Sequence, residues 1–139
     1  MNNNQVITIE ATIDAPIEKV WQCFIEPEHI KHWNSASDDW HTTAAENDLR
    51  VGGKFLFRME AKDGSFGFDF FGIYDEVNLN KTIAYTLGDE RKVKATFHSE
   101  DNKTKVIQAF EAESTNSMEM QKAGWQSILD HFKRYVEDL

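Results

Sequence analysis

Two histidines lie one helical turn apart in the first quarter of the chain, and other potential metal ligands follow them. They are His29 and His32, with Asp38, Asp39 and His41 just beyond. Two imidazoles on one helix face and a loop carboxylate could together bind zinc. The spacing is loose, however, and such clusters usually arise by chance in polar loops. We therefore predict no metal site and no cofactor.

Acid–base catalysis would need a titratable side chain inside an apolar pocket. Asp69 is the most interesting carboxylate, because it lies between Phe68 and Phe70. Its parity along the strand is opposite to that of the two rings, so we expect it on the outer face, paired with a Lys or Arg. Glu76 and Arg91 are also expected as surface ion-pair partners. The sequence contains no nucleophile elbow, Walker loop or dinucleotide fingerprint, and no catalytic residue is predicted.

The strongest functional signal is a set of large side chains that share the inner side of predicted strands or the apolar side of helices. Ligand sites are usually largely apolar with a few placed polar groups, which Tyr hydroxyl and Trp N–H groups can supply. Each of these residues alone would more often belong to a filled core. Together they favour a cavity, and we predict as its lining Trp33, Trp40, Phe57, Met59, Phe68, Phe70, Tyr85, Phe97, Phe110 and Trp125.

The elements that would position these residues begin with a strand over residues 5–13, where apolar and polar residues alternate. Asp14 is predicted to cap the next helix, with Pro16 in its opening turn. Apolar residues recur at helical spacing up to Ile25, and Pro27 ends that helix. A second short helix is predicted over residues 27–33. Residues 34–49 are polar and turn-rich, so we expect an ordered loop with a short strand near residues 40–44.

Five strands with short polar turns are predicted next, over residues 54–60, 66–77, 82–87, 91–98 and 104–112. Rings on both parities of residues 66–77 indicate that both faces of that strand are at least partly covered. A long amphipathic helix ends the chain, with Asn116 as its cap and Glu119 three positions later. Within it, Gly124 costs about 1 kcal/mol relative to Ala, so we expect a close backbone contact or space for a ligand there.

Element order predicts the architecture, because only the last helix is long enough to cover the apolar face of the sheet. The expected fold is α+β, with a curved antiparallel sheet wrapped around the C-terminal helix and two short helices after the first strand. A chain of 139 residues fits one domain, residues 1–139, and buries roughly 68% of its unfolded surface. Four Trp and ten Phe favour a core with volume to fill or enclose.

The charge of the chain bears on its partners. A formal net charge of -9 argues against nucleic acid and membrane surfaces, which are themselves anionic. The single cysteine, Cys23, cannot form an internal disulfide and is expected to be a buried, inert thiol. Residues 1–4 show no basic or apolar targeting segment. We expect a cytoplasmic protein that is a monomer or a weak homodimer.

Several short motifs spread along the chain resemble one family. The matching residues are Ala15-Pro16, Val20-Trp21, Trp33, Gly52-Gly53-Lys54-Phe55, Phe57-Arg58-Met59, Asp63-Gly64, Gly72-Ile73-Tyr74-Asp75-Glu76-Val77 and Gly124-Trp125-Gln126-Ser127-Ile128-Leu129. They resemble the helix-grip domains of the START and birch-pollen-allergen (SRPBCC) superfamily, and specifically the branch named for the activator of HSP90 ATPase. Many relatives carry a second Trp followed by Pro where this chain has Asn34-Ser35.

The resemblance implies a helix-grip fold with a cavity, but no single reaction, because the superfamily contains lipid carriers, hormone receptors, cyclases and chaperone activators. We favour a non-enzymatic binding module that shelters a small hydrophobic molecule, lipid- or polyketide-like, between sheet and helix. The alternatives are an interaction protein that docks on an HSP90-type chaperone and a cyclase-type enzyme that uses the same cavity.

Overall fold

The computed structural model describes residues 5–139, so the expectation for the first four residues lies outside the described part. Seven strands and three helices follow one another in the predicted order. Their bounds are β1 (Val6–Ile13), α1 (Ile17–Ile25), α2 (Pro27–Trp33), β2 (Trp40–Asn47), β3 (Lys54–Ala61), β4 (Gly67–Asn78), β5 (Thr82–Leu87), β6 (Lys92–Glu100), β7 (Lys103–Glu111) and α3 (Met118–Asp138).

The strands form one antiparallel sheet in the order β1-β7-β6-β5-β4-β3-β2. Strands β2 to β7 follow as hairpins, and β1 adds to the far side of β7, where Ile13 lies opposite Thr104. The chain between β1 and β2 must therefore cross from one edge of the sheet to the other, and α1 and α2 make that crossing. The sheet curls around α3, which confirms the predicted helix-grip fold.

Helix α3 is fixed on the concave face by burial and by side-chain ties to β1. Its C-terminal half buries Leu129, Phe132 and Val136. Gln126 donates to the carbonyl of Glu10 at 3.1 Å, and the Lys133 ammonium donates to that of Thr12 at 2.8 Å. None of the helices formed by residues 5–139 is long and apolar enough to cross a membrane.

Three predictions about the ends of elements are wrong. Strand β2 continues to Asn47, because pairing with β3 extends over its whole length despite a bulge after Thr42. Ser117, and not Asn116, caps α3, since its hydroxyl accepts from the backbone N–H of Met120 at 3.1 Å. Helix α1 begins after Pro16 without a side-chain cap, and Asp14 instead donates its backbone N–H to Glu137.

The outer face of β4 also differs from expectation. Phe71 and Ile73 are 42% and 43% exposed there, because all three helices lie on the concave side. The Phe71 ring rests against Gly88, where a Cβ would lie 2.3 Å from it. Of the two expectations for Gly124, the close backbone contact is absent, since a Cβ added there meets none of the described residues within 4 Å and points into open space.

Candidate functional site

An apolar cavity of about 300 Å³ lies between the concave face of the sheet and α3, with the ends of α1 and α2 at one side. Six of the ten residues predicted to line it do so: Trp33, Phe57, Phe68, Phe70, Tyr85 and Trp125. Nine others complete the lining: Phe24, Ile25, Asn34, Phe55, Tyr74, Ile83, Arg91, Gln108 and Ile128. The walls therefore combine aromatic rings with a small number of polar groups, as ligand pockets usually do.

Two of the predicted residues are covered by helix side chains and do not line the cavity. Phe110 is 1% exposed because the Trp125 ring stacks on it, with centroids 4.1 Å apart and planes 11° apart. Phe97 lies further along the sheet, where Trp21 and Phe24 of α1 pack edge-on against it at 5.2 and 5.3 Å. Both residues point inward as predicted, but the helices fill the space above them.

Two more predicted residues lie beyond the cavity, toward the β2 edge of the sheet. Trp40 is the first residue of β2 and packs against Phe66 and Phe68, with centroids about 6 Å apart in each case. Met59 is buried opposite Thr42 on β2. The prediction was wrong for these two because strand parity gives the face of the sheet and not the position along it.

Two polar residues of the lining, Arg91 and Gln108, were not predicted but could have been found from strand alternation. Arg91 was predicted at the surface as an ion-pair partner, and it does pair with Asp89 at 2.7 Å. Its side chain is nonetheless only 19% exposed and lines the cavity. It precedes Val93 by two residues on the same face, so strand alternation alone places it inward. Gln108 follows the same rule, because it lies between the buried Val106 and Phe110.

Two tyrosines make up part of the sheet wall, and burial raises the pKa of both hydroxyls. Tyr74 donates to the side-chain oxygen of Asn47, a bond that partly opposes the shift. Asn47 in turn donates to the carbonyl of Ile25 at 2.6 Å, which ties the end of α1 to the sheet. For Tyr85, nearby Tyr74 raises the pKa further and Arg91 lowers it. Both phenols are neutral at physiological pH.

Asn34 occupies the cavity wall at the end of α2. Its carbonyl accepts from the Thr42 hydroxyl at 2.8 Å, which fixes the turn between α2 and β2. Its side-chain nitrogen is buried without a hydrogen-bond partner among the described residues. Beside it, Trp33 donates its ring N–H to the carbonyl of Cys23 at 2.9 Å, so that N–H is not directed at the cavity.

The histidines considered as zinc ligands contact Tyr135 of α3. His29 Nδ1 lies 2.7 Å from the Tyr135 hydroxyl, and the His32 ring stacks on the Tyr135 ring with planes 10° apart. Within residues 5–139 no group of three or more His, Cys, Asp or Glu side chains is placed to hold a metal ion. These histidines join α2 to α3.

The remaining candidates for chemistry lie outside the cavity. Asp69 is on the outer face and pairs with Arg58 at 3.4 Å, as predicted. Cys23 is 2% exposed, and burial raises the pKa of its thiol, which makes the reactive thiolate rarer. Neither group is positioned to act on a molecule inside the cavity.

A curled sheet that grips a C-terminal helix above an apolar cavity defines the class of helix-grip domains. Within that class the chain belongs to the family described as activator of Hsp90 ATPase homolog 1-like protein, whose model matches residues 14–137. The family resemblance inferred from the motifs is thereby confirmed. No curated protein sequence matches the chain.

Solved structures support this assignment. The AHSA1-like protein from Aeromonas hydrophila is 47% identical, with a TM-score of 0.92 over 96% of this chain and 93% of that one. A protein from Cytophaga hutchinsonii is 49% identical, with a TM-score of 0.83 over 99% and 94% of the two chains. A protein from Chromobacterium violaceum shares the fold at 23% identity, with a TM-score of 0.86 over 96% and 98%.

Proposed function

We propose that this protein is a non-enzymatic binding module that shelters a small hydrophobic molecule, lipid- or polyketide-like, in the cavity between the sheet and α3. The observation that carries the proposal is the cavity itself, about 300 Å³ with a largely aromatic wall. Unfilled apolar space costs roughly 24 cal/mol per Å³ in engineered cavities. A core that served packing alone would gain stability by filling this volume with side chains.

The titratable groups of the wall favour binding over catalysis. They are Tyr74, Tyr85 and Arg91. Burial raises the pKa of both phenols, and a guanidinium does not release its proton at neutral pH. A cyclase that works by general acid–base catalysis would need a group that titrates near its working pH. This part of the wall supplies hydrogen-bond donors rather than a base.

The first test is native mass spectrometry of the purified protein, followed by denaturing identification of any molecule that it carries. We expect a small apolar compound in stoichiometric amount. Binding to an HSP90-type chaperone at 1:1 stoichiometry, with no bound compound and no binding of added apolar probes, would instead support the chaperone alternative. We propose the cytoplasm as the compartment, since the chain has a single, buried cysteine.

A matched pair of variants on one strand makes the test specific to the cavity. Phe70 lines the cavity and lies 6.3 Å from the Trp125 ring, whereas its neighbour Phe71 points outward. Phe70→Asp places a charge among the rings and should abolish the binding of apolar probes in fluorescence titrations, whereas Phe71→Asp should preserve it. Equal probe affinity in the two variants would show that the probes do not bind in the cavity. Circular dichroism spectra of both variants verify that the sheet still forms.

A further inference from the structure

Three polar side chains of the cavity wall come from β5, from β7 and from the residue that precedes β6. On the inner face of β6, the register places Val93 opposite Tyr85 of β5, and Ala95 opposite Gln108 of β7. Arg91 lies two residues before Val93 on the same face. Val93 and Ala95 are small, so they leave space between the larger polar side chains on either side. We call Arg91, Tyr85 and Gln108 the polar corner of the cavity.

Two members of the polar corner are mostly buried in the cavity wall. Tyr85 and Gln108 are each 8% exposed. Among the described residues only the Asn34 side-chain nitrogen is fully enclosed without a partner, so the polar atoms of Tyr85 and Gln108 face the open volume of the cavity. Both side chains line the cavity, so a bound molecule can hydrogen-bond to them in place of water.

The third member, Arg91, adds a positive charge with free donors. Its Nε donates to Asp89 at 2.7 Å and its Nη1 approaches the Glu111 carbonyl at 3.5 Å, which leaves the other N–H groups available. Asp89 is 53% exposed, so water screens its side of the ion pair. Arg91 borders both the cavity and the adjoining surface groove beside Phe71. Its charge also reaches the Tyr85 hydroxyl, whose pKa it lowers against the larger effect of burial.

We propose that the polar corner binds the carboxylate head group of an amphipathic ligand whose apolar tail occupies the rest of the cavity. The inference rests on the proposed function and specifies the class of ligand. A guanidinium, a phenol and an amide together offer several N–H and O–H donors, which match a carboxylate with two acceptor oxygens. A carboxylate in apolar surroundings needs a cationic partner, and Arg91 is the only Arg or Lys among the cavity-lining residues of the described chain.

The cavity volume limits the size of the ligand. Since each water occupies about 30 Å³ of liquid volume, the cavity has room for about ten non-hydrogen atoms. A medium-chain fatty acid with eight to ten carbons is close to this size. Decanoate and 1-decanol therefore form a suitable pair of probes, because they share the same chain and differ in the head group.

The experiment measures the affinities of both probes by isothermal titration calorimetry at neutral pH, with the full chain stripped of bound compounds. The variants are Arg91→Gln and Tyr85→Phe, and the matched control is Arg58→Gln. Arg58 is also an arginine paired with carboxylates, Glu60 and Asp69, but it lies on the outer face of the sheet. Circular dichroism verifies that each variant folds.

We expect the unmodified protein to bind decanoate at least about tenfold more tightly than 1-decanol, as a charge-assisted hydrogen bond provides. Arg91→Gln should weaken decanoate binding about ten- to a hundredfold and leave 1-decanol almost unchanged, whereas Arg58→Gln should change neither. Tyr85→Phe should weaken decanoate binding by a smaller factor.

Two results would overturn the inference while the proposed function stands. One is equal affinity for the two probes with no effect of Arg91→Gln, and the other is equal weakening of both probes by Arg91→Gln. If neither probe binds and native mass spectrometry finds no bound compound, the proposed function fails and the inference fails with it.

Discussion

A mostly buried amide in an apolar cavity wall should reduce the stability of the unliganded protein, and Gln108 offers a direct test. Replacing Gln108 with Leu keeps the side-chain volume nearly constant and removes the amide from the apolar wall. We expect Gln108→Leu to be more stable than the parent protein when both are free of bound compounds. This direction is unusual, because most substitutions at buried positions are destabilising.

The magnitude follows from the cost of placing an amide in apolar surroundings. Mutational data give about 1–3 kcal/mol for burying such a group, and partial access to water in the cavity places Gln108 at the lower end. We therefore expect a gain of about 1–2 kcal/mol in the free energy of unfolding. With an unfolding entropy of about 2.1 cal/mol/K per residue, this gain raises the Tm of a 139-residue chain by about 3–7 °C.

Gln121 provides a matched control, since it is also a glutamine with 8% exposure. Its amide nitrogen donates to the carbonyls of Glu113 and Asn116 at 3.0 and 2.8 Å, and its oxygen accepts from the N–H of Glu113 at 2.9 Å. Gln121→Leu leaves these backbone groups unpaired. We expect Gln121→Leu to lower the free energy of unfolding by about 2–4 kcal/mol. This effect is opposite in sign to that of Gln108→Leu, although the chemical change and the exposure are the same.

The assay is urea denaturation followed by tryptophan fluorescence, with thermal melts as a second measurement. The two variants and the parent protein should unfold with similar m-values, so that midpoints can be compared as stabilities. Destabilisation of Gln108→Leu by as much as Gln121→Leu would refute the reasoning. It would show that the Gln108 amide is satisfied in solution and is not an open binding group.

Two further predictions concern the ties that hold the ends of elements. The Thr104 hydroxyl is fully buried and donates to the Ala15 carbonyl at 2.8 Å, so Thr104→Val should cost about 1–2 kcal/mol in urea denaturation; an unchanged midpoint would contradict this. Hydrogen bonds from Lys133, and then from the backbone of Asp14, lower the pKa of the Glu137 carboxyl group. The contribution of the Glu137 carboxylate to the free energy of unfolding is therefore present above the pKa of the unfolded state and is lost as pH falls through the folded pKa. Glu137→Gln should therefore lower the midpoint slightly at neutral pH and match the parent in acid, and a deficit that persists in acid would contradict this account.

The inward and outward sides of the strands could be predicted from the sequence because the two-residue period is a property of the extended backbone. Val93, Ala95 and Phe97 were assigned inward on β6 and are all buried. The same reasoning placed Asp69 on the outer face beside Arg58. The prediction for Arg91 was wrong because it relied on residue type. Strand alternation places Arg91 on the inner face, but its charge is typical of a surface residue.

The sequence pattern could not predict which of the inward residues line the cavity. Phe57, Phe97 and Phe110 all point inward, but only Phe57 lines the cavity. The difference lies in which helix side chain lies above each ring: Trp125 covers Phe110, and Trp21 covers Phe97. These contacts join residues far apart in sequence, and no local pattern specifies them. The second half of β2 was not predicted for a related reason, since pairing with β3 stabilises it more than its own composition does.

The position of the cavity follows from the different packing of the two halves of α3. The C-terminal half buries Phe132 and Val136 completely, and Phe132 meets Phe24 and Trp33 at 5.4 and 4.7 Å. The N-terminal half places the partly exposed Trp125 over the wider part of the sheet.

Dense packing therefore fixes the C-terminal half of α3 on the sheet, whereas the cavity lies beneath the Trp125 ring of the N-terminal half. Because the two halves share one helix, the packed end can keep the fold intact while the open end keeps its unfilled volume. The polar corner faces that volume and not the packed end. We therefore expect the same polar groups that reduce the stability of the free protein to hydrogen-bond a carboxylate that enters the cavity.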